Sequence, residues 1–478
     1  MVASEKPQGS TPAWRSLGSI AFVAASLLVL GVLWRADLGG GDRRPNVLLV
    51  TVDTLRADHL GVYGFSHATS PNLDALASDS VVFERAIAAA AMTAPAHASI
   101  FTSRYTRGHS VGYLNGRTRL QGRVTLAERF EQAGYATAAF VSNMVLRKRS
   151  GFQRGFEVYD DALEAPERNR SGVYERTAEA TTARALSWLE AHGDAPFLLW
   201  VHYQDPHGPY TPPDAFAGRI VLDPRPREQP LPVLSNDSGY RGIPAYQALE
   251  GRSLPSEYRG LYSDEILHTD HWLGQLVARF DAKSEGRHTI VLVTSDHGEN
   301  LGEHDFWFVH AFSSMPELAH VPFVLRATGL PAGRRREVVS HVDVMPTLLE
   351  LAALEPEADS DGVALGPYLR SGAPIPARRV YCDIGRELSA YGSDDFVRVT
   401  KLAGAWPEEL GEAEGPPVWE RFRWSEEGVI SRADDSVIVK GPIEAYFGAA
   451  TPMARNPEEL DARDLEALRA LGYVDTEP

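Results

Sequence analysis

Short apolar runs that end in polar residues recur along this chain. NVLLVTVD ends at Asp53, TAAFVSN at Asn143, and FLLWVHYQDPH in His202, Asp205 and His207. TIVLVTSDHGE carries Asp296 and His297, and VPFVLRATG follows. Runs this continuously apolar suit strands covered on both faces. Helical spacing lies between them. SPNLDALASD places Ser70 at an N-cap and Pro71 at the first helical position, and TLAERFEQAG ends at Gly134, a C-terminal cap. YERTAEATTARALSWLEAHG and SDEILHTDHWLGQLVARFD keep apolar residues at helical intervals. The alternation predicts an α/β fold, a large and mostly parallel central sheet flanked by helices. Ligands bind beyond the carboxyl ends of such strands. Asp53, Asn143, the His202–His207 group and Asp296–His297 are therefore expected in one cleft.

The flanks break this pattern. Ser16 to Trp34 is uncharged and mostly apolar, bounded by Arg15 and Arg35. It approaches the roughly 20 residues that cross a bilayer, and VLWRAD is a poor cleavage site. The reading is a cytoplasmic tail over 1–15, an uncleaved single-pass membrane anchor over 16–34 and a flexible linker over 35–44. A main domain over 45–375 and a small C-terminal subdomain over 376–478 follow. Residues 218–255, rich in Pro and Gly, form a surface insertion. In the subdomain FVRVTKL, FRWSEEG and SVIVKG predict short antiparallel strands, and NPEELDARDLEALRALGYV a closing helix.

Composition narrows the chemistry. One cysteine, Cys382, allows no internal disulfide and argues against cysteine-based zinc sites. A net charge of −17 in 478 residues argues against nucleic acid as a partner. Between Phe101 and Gly155 the balance reverses. Arg104, Arg107, Arg117, Arg119, Arg123, Arg129, Arg147, Lys148, Arg149 and Arg154 face only Glu128 and Glu131. That is either a solvated basic face or a funnel for an anionic substrate.

Asp53, Asp296 and His297 make a plausible divalent-metal site. A hydroxyl held on the ion would have its pKa lowered, as bound water does. AMTAPAHASIFTSR supplies one. Alone, Thr93 followed by Pro95 reads as a helix cap; beside the metal set it becomes a candidate nucleophile. Other polar residues have plainer readings. His202 is expected as a core histidine, His304 and Asp305 as loop decoration, and His268, Asp270 and His271 as helix residues without a metal role. Asn143 is either a turn residue or a substrate contact.

The chain resembles the sulfatase family of the alkaline phosphatase superfamily. NVLLVTVDTLRADHLGVYG, SPNLDALA, TAPAHASIFTSR, VHYQDPHGPYTPP, TSDHGENLGEH, HVPFVLRATG, HVDVMPTLLELA and LRALGYV carry the resemblance. It implies an α/β sandwich with a central mixed sheet, a small C-terminal sheet subdomain and a catalytic domain outside the cytoplasm. Asp53, Asp296 and His297 then correspond to metal ligands, with Thr93 as fourth ligand and catalytic nucleophile. Thr54 stands where many relatives have a second aspartate. His207 and His310 fall at catalytic positions, and His97, Arg104 and Asn143 at substrate-binding ones. Family sulfatases oxidise Cys or Ser to formylglycine; threonine would give a ketone, so formylglycine is not expected. One divalent ion is implied, with Mn²⁺ or Zn²⁺ favoured and Ca²⁺ possible.

The leading expectation is a membrane-anchored, metal-dependent hydrolase. It would cleave sulfate, phosphate or phosphonate esters, including glycan- or lipid-linked ones. Competing readings are a phosphoryl-group transferase acting on a lipid or glycan, and an inactive domain that binds anionic glycans. A two-metal phosphodiesterase would need a second ligand set from Asp205 and His207 with His310 or His341.

Overall fold

The computed structural model describes residues 44–109, 111–112, 119–400, 418–424 and 430–433, with positions 441, 443 and 446. The expected anchor at 16–34, most of SVIVKG and the closing helix lie outside the described residues. Among the described residues no helix is long and apolar enough to cross a membrane.

The apolar runs become the central strands. In chain order these are β1 (Asn46–Val52), β2 (Val81–Ile87), β3 (Ala136–Val141), β4 (Val158–Asp160), β5 (Phe197–Tyr203), β6 (Thr289–Ser295), β7 (His320–Val321), β8 (Phe323–Ala327) and β9 (Gly333–Ser340). They order as β7-β2-β8-β6-β1-β5-β3-β4, with β9 also on β2. β1 pairs in parallel with β5 and β6, and β3 in parallel with β4 and β5. The β8 strand runs antiparallel to β6 and β2, so the sheet is mixed.

Helices cover the two faces, among them α1 (Pro71–Ala77), α2 (Thr93–Thr102), α3 (Leu126–Gln132), α4 (Ala178–Ala191), α5 (Pro255–Lys283) and α6 (Val344–Leu351). Alternation along β1 sets the layers. Val47 and Leu49 join the core shared with α2, α3 and α6, and Leu48, Val50 and Val52 the core shared with α1, α4 and α5. All seven β1 residues are buried, as a strand sandwiched between helices requires.

The expected cap residues stand in place, and one helix is bonded from afar. Ser70 stands at the N-cap of α1 without bonding its turn; its Oγ donates to Asp74 Oδ1 at 3.0 Å. Asp270, from the middle of α5, accepts the Asn72 and Leu73 N–H groups at 2.9 and 2.8 Å. A residue nearly two hundred positions away therefore caps this helix (|i−j| of 198 and 197). Thr125 caps α3 as a capping box with Glu128, and Gly134 follows with φ 74°.

The insertion at 218–255 is tied down on α5. Ile220 N–H donates to Asp264 at 2.7 Å, and Arg259 pairs with Glu228 at 2.7 Å. Beyond the main sheet, β10 (Val380–Asp383), β11 (Leu388–Tyr391), β12 (Asp395–Thr400), β13 (Val418–Trp424) and β14 (Ile430–Arg432) form an antiparallel sheet in that order. This is the expected C-terminal sheet subdomain.

Candidate active site

β1 and β6 are neighbours, and each ends in an aspartate. Val52 pairs with Ser295, so Asp53 and Asp296 emerge side by side. Both are fully buried. Asp296 Oδ1 accepts the Thr54 and His297 N–H groups at 3.2 and 2.8 Å, which leaves Oδ2 without a partner. Asn143, from the end of β3, donates Nδ2–H to Asp53 Oδ2 at 2.6 Å, and Asp53 Oδ1 has no partner. Asn143 thus orients Asp53 while its own Oδ1 caps the next turn at Val145.

His297 supplies the third group. Its Nδ1–H donates to Gly298 O at 2.9 Å, so in the neutral ring Nε2 carries the lone pair. Nε2 is buried and unpartnered, 3.8 Å from Asp53 Oδ1 and 3.6 Å from Asp296 Oδ2. Burial lowers the His297 pKa to about 4, against the Asp296 charge, which raises it. Burial, then Asp296, pushes Asp53 up. Asp296 is held low because His297, His97 and His202 outweigh the cost of its burial. Orphaned carboxylate and imidazole atoms facing one another fit a divalent cation, which would neutralise the two carboxylates. Gly298 does not act through a turn at positive φ. A Cβ there would lie 2.1 Å from Glu317 O, so the position demands close approach.

Thr54, where a second carboxylate would be carried, sits at φ 54°, strained for a β-branched residue. Its carbonyl accepts Tyr262 O–H at 2.7 Å, and its buried Oγ1 has no partner. Thr93 is the first helical residue of α2, with Met92 at the N-cap, so it does not cap the helix from outside. Its Oγ1 is likewise buried and unpartnered.

The assignment of His97 to substrate changes. It is fully buried, its Nδ1–H donates to Thr93 O at 2.7 Å, and Nε2 accepts Thr51 O–H at 3.0 Å. Thr51 Oγ1 in turn accepts the Trp200 indole N–H at 3.0 Å. With both ring nitrogens used internally, His97 has none for substrate; it fixes the start of α2 and lies 3.8 Å from Asp296. Arg104 changes too. It pairs with Asp359 and, at 3.4 Å, with Asp361, and no hydrogen bond or ion pair among the described residues joins it to the carboxylate cluster. The basic stretch is offset the same way, since Arg123 also pairs with Asp359 and Arg129 with Glu357.

His207 and His310 do converge on the cluster. The His310 ring centroid lies 4.6 Å from that of His297 and 5.1 Å from that of His207. His207 Nδ1–H donates to Gly208 O at 2.7 Å, and burial keeps the ring well below its usual pKa, so Nε2 is an acceptor. His310 Nδ1 faces Glu299 Oε1 at 3.3 Å, and Glu299 Oε2 accepts Tyr210 O–H at 3.2 Å. Glu299 went unremarked in the sequence, although it follows His297 by two positions in the same segment.

His202 departs from the satisfied core histidine expected of its strand. It is fully buried, yet neither ring nitrogen has a hydrogen-bond partner. It pairs with Thr51 across β1 and shares the α2 side of the sheet with Trp200. A polar residue on that face at a strand end was the signal. Among the described residues the second set expected from Asp205, His207 and His310 or His341 is not brought together; Asp205 instead groups with Glu265 and His268. His341 spends both nitrogens on Ala89 N–H and Ser295 O, and Asp205 accepts Ala178 N–H and faces His268. His268 Nε2 accepts the Trp272 indole N–H at 3.1 Å, so its hydrogen sits on Nδ1, toward Asp205 and Glu265.

A mixed α/β sheet thus carries acidic and imidazole groups at the carboxyl ends of its parallel strands. The sulfatase family model matches residues 45–354. The chain belongs to the sulfatase family, and it is an ester hydrolase of the sulfuric or phosphoric class. Among curated relatives, an N-acetylglucosamine-6-O-sulfatase of Bacteroides thetaiotaomicron is 25% identical, over 79% of this chain and 81% of its own length. An arylsulfatase of Clostridium perfringens is 27% identical, over 67% of this chain and 78% of its own. Among solved structures, a phosphonate monoester hydrolase from Silicibacter pomeroyi shares the fold at TM-score 0.60 and 21% identity, over 80% of this chain and 90% of that one.

Proposed function

We propose that the chain hydrolyses an anionic sulfate, phosphate or phosphonate ester, with Thr93 Oγ1 as the attacking oxygen. One divalent cation, manganese or zinc, would be held by Asp53, Asp296, His297 and Thr93. The observation that carries this reading is the set of buried, unpartnered atoms Asp53 Oδ1, Asp296 Oδ2, His297 Nε2 and Thr93 Oγ1. A bound cation of this kind lowers the pKa of a hydroxyl and draws charge from an ester oxygen. Thr93 Oγ1, its proton passed to solvent, would attack the central atom as the bond to the leaving oxygen breaks, and the hydrolysing water would later return a hydroxyl to Thr93. His310, oriented by Glu299, donates the proton the leaving oxygen needs. His207, neutral with Nε2 free, accepts a proton from the water that releases Thr93.

The relatives' names support a glycan-linked ester as substrate, since one is an N-acetylglucosamine-6-O-sulfatase. We also propose that residues 16–34 anchor the chain to the cell membrane with the catalytic domain outside the cytoplasm.

The test is a screen of the full chain, prepared from membranes, against sugar sulfates, aryl sulfates, phosphate mono- and diesters and phosphonate esters, with Mn²⁺, Zn²⁺ or Ca²⁺. The expected result is turnover of at least one ester class that is lost on chelation and restored by Mn²⁺ or Zn²⁺, with Met1 at the N-terminus of the membrane-bound protein. A folded, metal-loaded chain inert on every ester would contradict the hydrolase reading. A soluble chain beginning near Gly39 would contradict the anchor alone.

A further inference from the structure

His202 is buried at the carboxyl end of β5 with Nδ1 and Nε2 both unpartnered. A neutral imidazole shut away from water costs free energy for each unsatisfied nitrogen. Its surroundings answer what would satisfy it. Nε2 lies 3.8 Å from Asp53 Oδ2, the same distance that separates His297 Nε2 from Asp53 Oδ1. His202, Asp296 and His97 form one group whose ligand atoms lie within 4.8 Å of one another, and Asp53, Asp296 and His297 form another. Asp53 thus stands between two histidines, and Asp296 belongs to both groups.

The 3.8 Å spacing is too long for a hydrogen bond. Two ligands on one cation, each about 2.0–2.2 Å from it at a tetrahedral angle, stand roughly 3.3–3.6 Å apart. The 3.6–3.8 Å separations here are close to that spacing and far from hydrogen-bond contact. His97, the other imidazole near Asp296, cannot serve because both its nitrogens are used.

We infer that His202 is a further ligand of the divalent cation, so that the site presents two imidazoles, from β5 and from the end of β6, with two carboxylates. The inference rests on the metal reading of this site. A second nitrogen donor biases the site toward zinc and manganese and away from calcium, which prefers oxygen. Metal choice is then set on β5, a strand that contributes neither Asp53 nor Asp296.

The experiment counts nitrogens and uses the full chain. Pulsed electron paramagnetic resonance on the Cu²⁺-loaded protein should detect two coordinated imidazoles, falling to one in His202→Gln and to one in His297→Gln. As a second variant, His202→Cys loaded with Co²⁺ should develop a thiolate-to-cobalt charge-transfer band, which arises only when residue 202 touches the ion. Zinc affinity should fall at least tenfold in His202→Gln. One imidazole in the wild-type chain, with no charge-transfer band in His202→Cys, would overturn the inference while leaving the metal site standing. A folded chain that takes up no divalent ion would overturn both.

Discussion

At the scale of residues, the site is defined by which polar atoms are satisfied and which are not. His97 and His202 both lie in a fully buried layer beside Asp296. One spends both nitrogens on Thr93 and Thr51, and the other spends neither. A sequence cannot display that difference, because it depends on which face of a strand meets α2. Glu299 is a similar case. It is fully buried, with one oxygen facing His310 and the other accepting Tyr210 O–H. It is a positioning residue: it orients the His310 ring without touching substrate. Glu299→Gln should lower kcat about tenfold or more while leaving KM and the bound metal nearly unchanged. Equal losses in kcat/KM and metal content would instead place Glu299 in the metal site.

At the scale of elements, the sheet was legible and the joints between helices were not. The runs ending at Asp53, Asn143, His207 and Asp296 read as strands because they are apolar without alternation, and β1, β3, β5 and β6 follow them. Ser70 holds the expected N-cap position, but its hydroxyl turns to Asp74 and the bonding partner of α1 comes from α5. Local signals carry no information about a partner so far along the chain. Asp270→Ala should therefore destabilise the protein by about 1–3 kcal/mol, read from the urea midpoint. Burial raises the Asp270 pKa to about 6 against its Asn72 and Leu73 donors. The native carboxyl thus keeps its proton to higher pH than the unfolded one. The proton-linked part of its contribution is fully present below about pH 4 and is lost as pH rises through about 6, so the variant's deficit should shrink over that window.

At the scale of the whole molecule, the family, the mixed sheet and the C-terminal sheet subdomain all answer the sequence patterns. The basic stretch did not keep its apparent charge. Arg104, Arg123 and Arg129 find Asp359, Asp361 and Glu357 from a distant segment. Local net charge overstated the field because folding brought acids to it. The proposed reaction turns on Thr93. Its hydroxyl is buried without a partner at the start of a helix whose first turn is braced by His97. Thr93→Ala removes that oxygen and strips no hydrogen bond from the fold. The decisive measurement is turnover of the metal-loaded Thr93→Ala chain at saturating substrate, on whichever ester the wild-type chain cleaves. The account predicts a loss of about a thousandfold or more, with the fold intact and the cation still held by Asp53, Asp296 and His297. Near wild-type turnover in that folded, metal-loaded variant would contradict it.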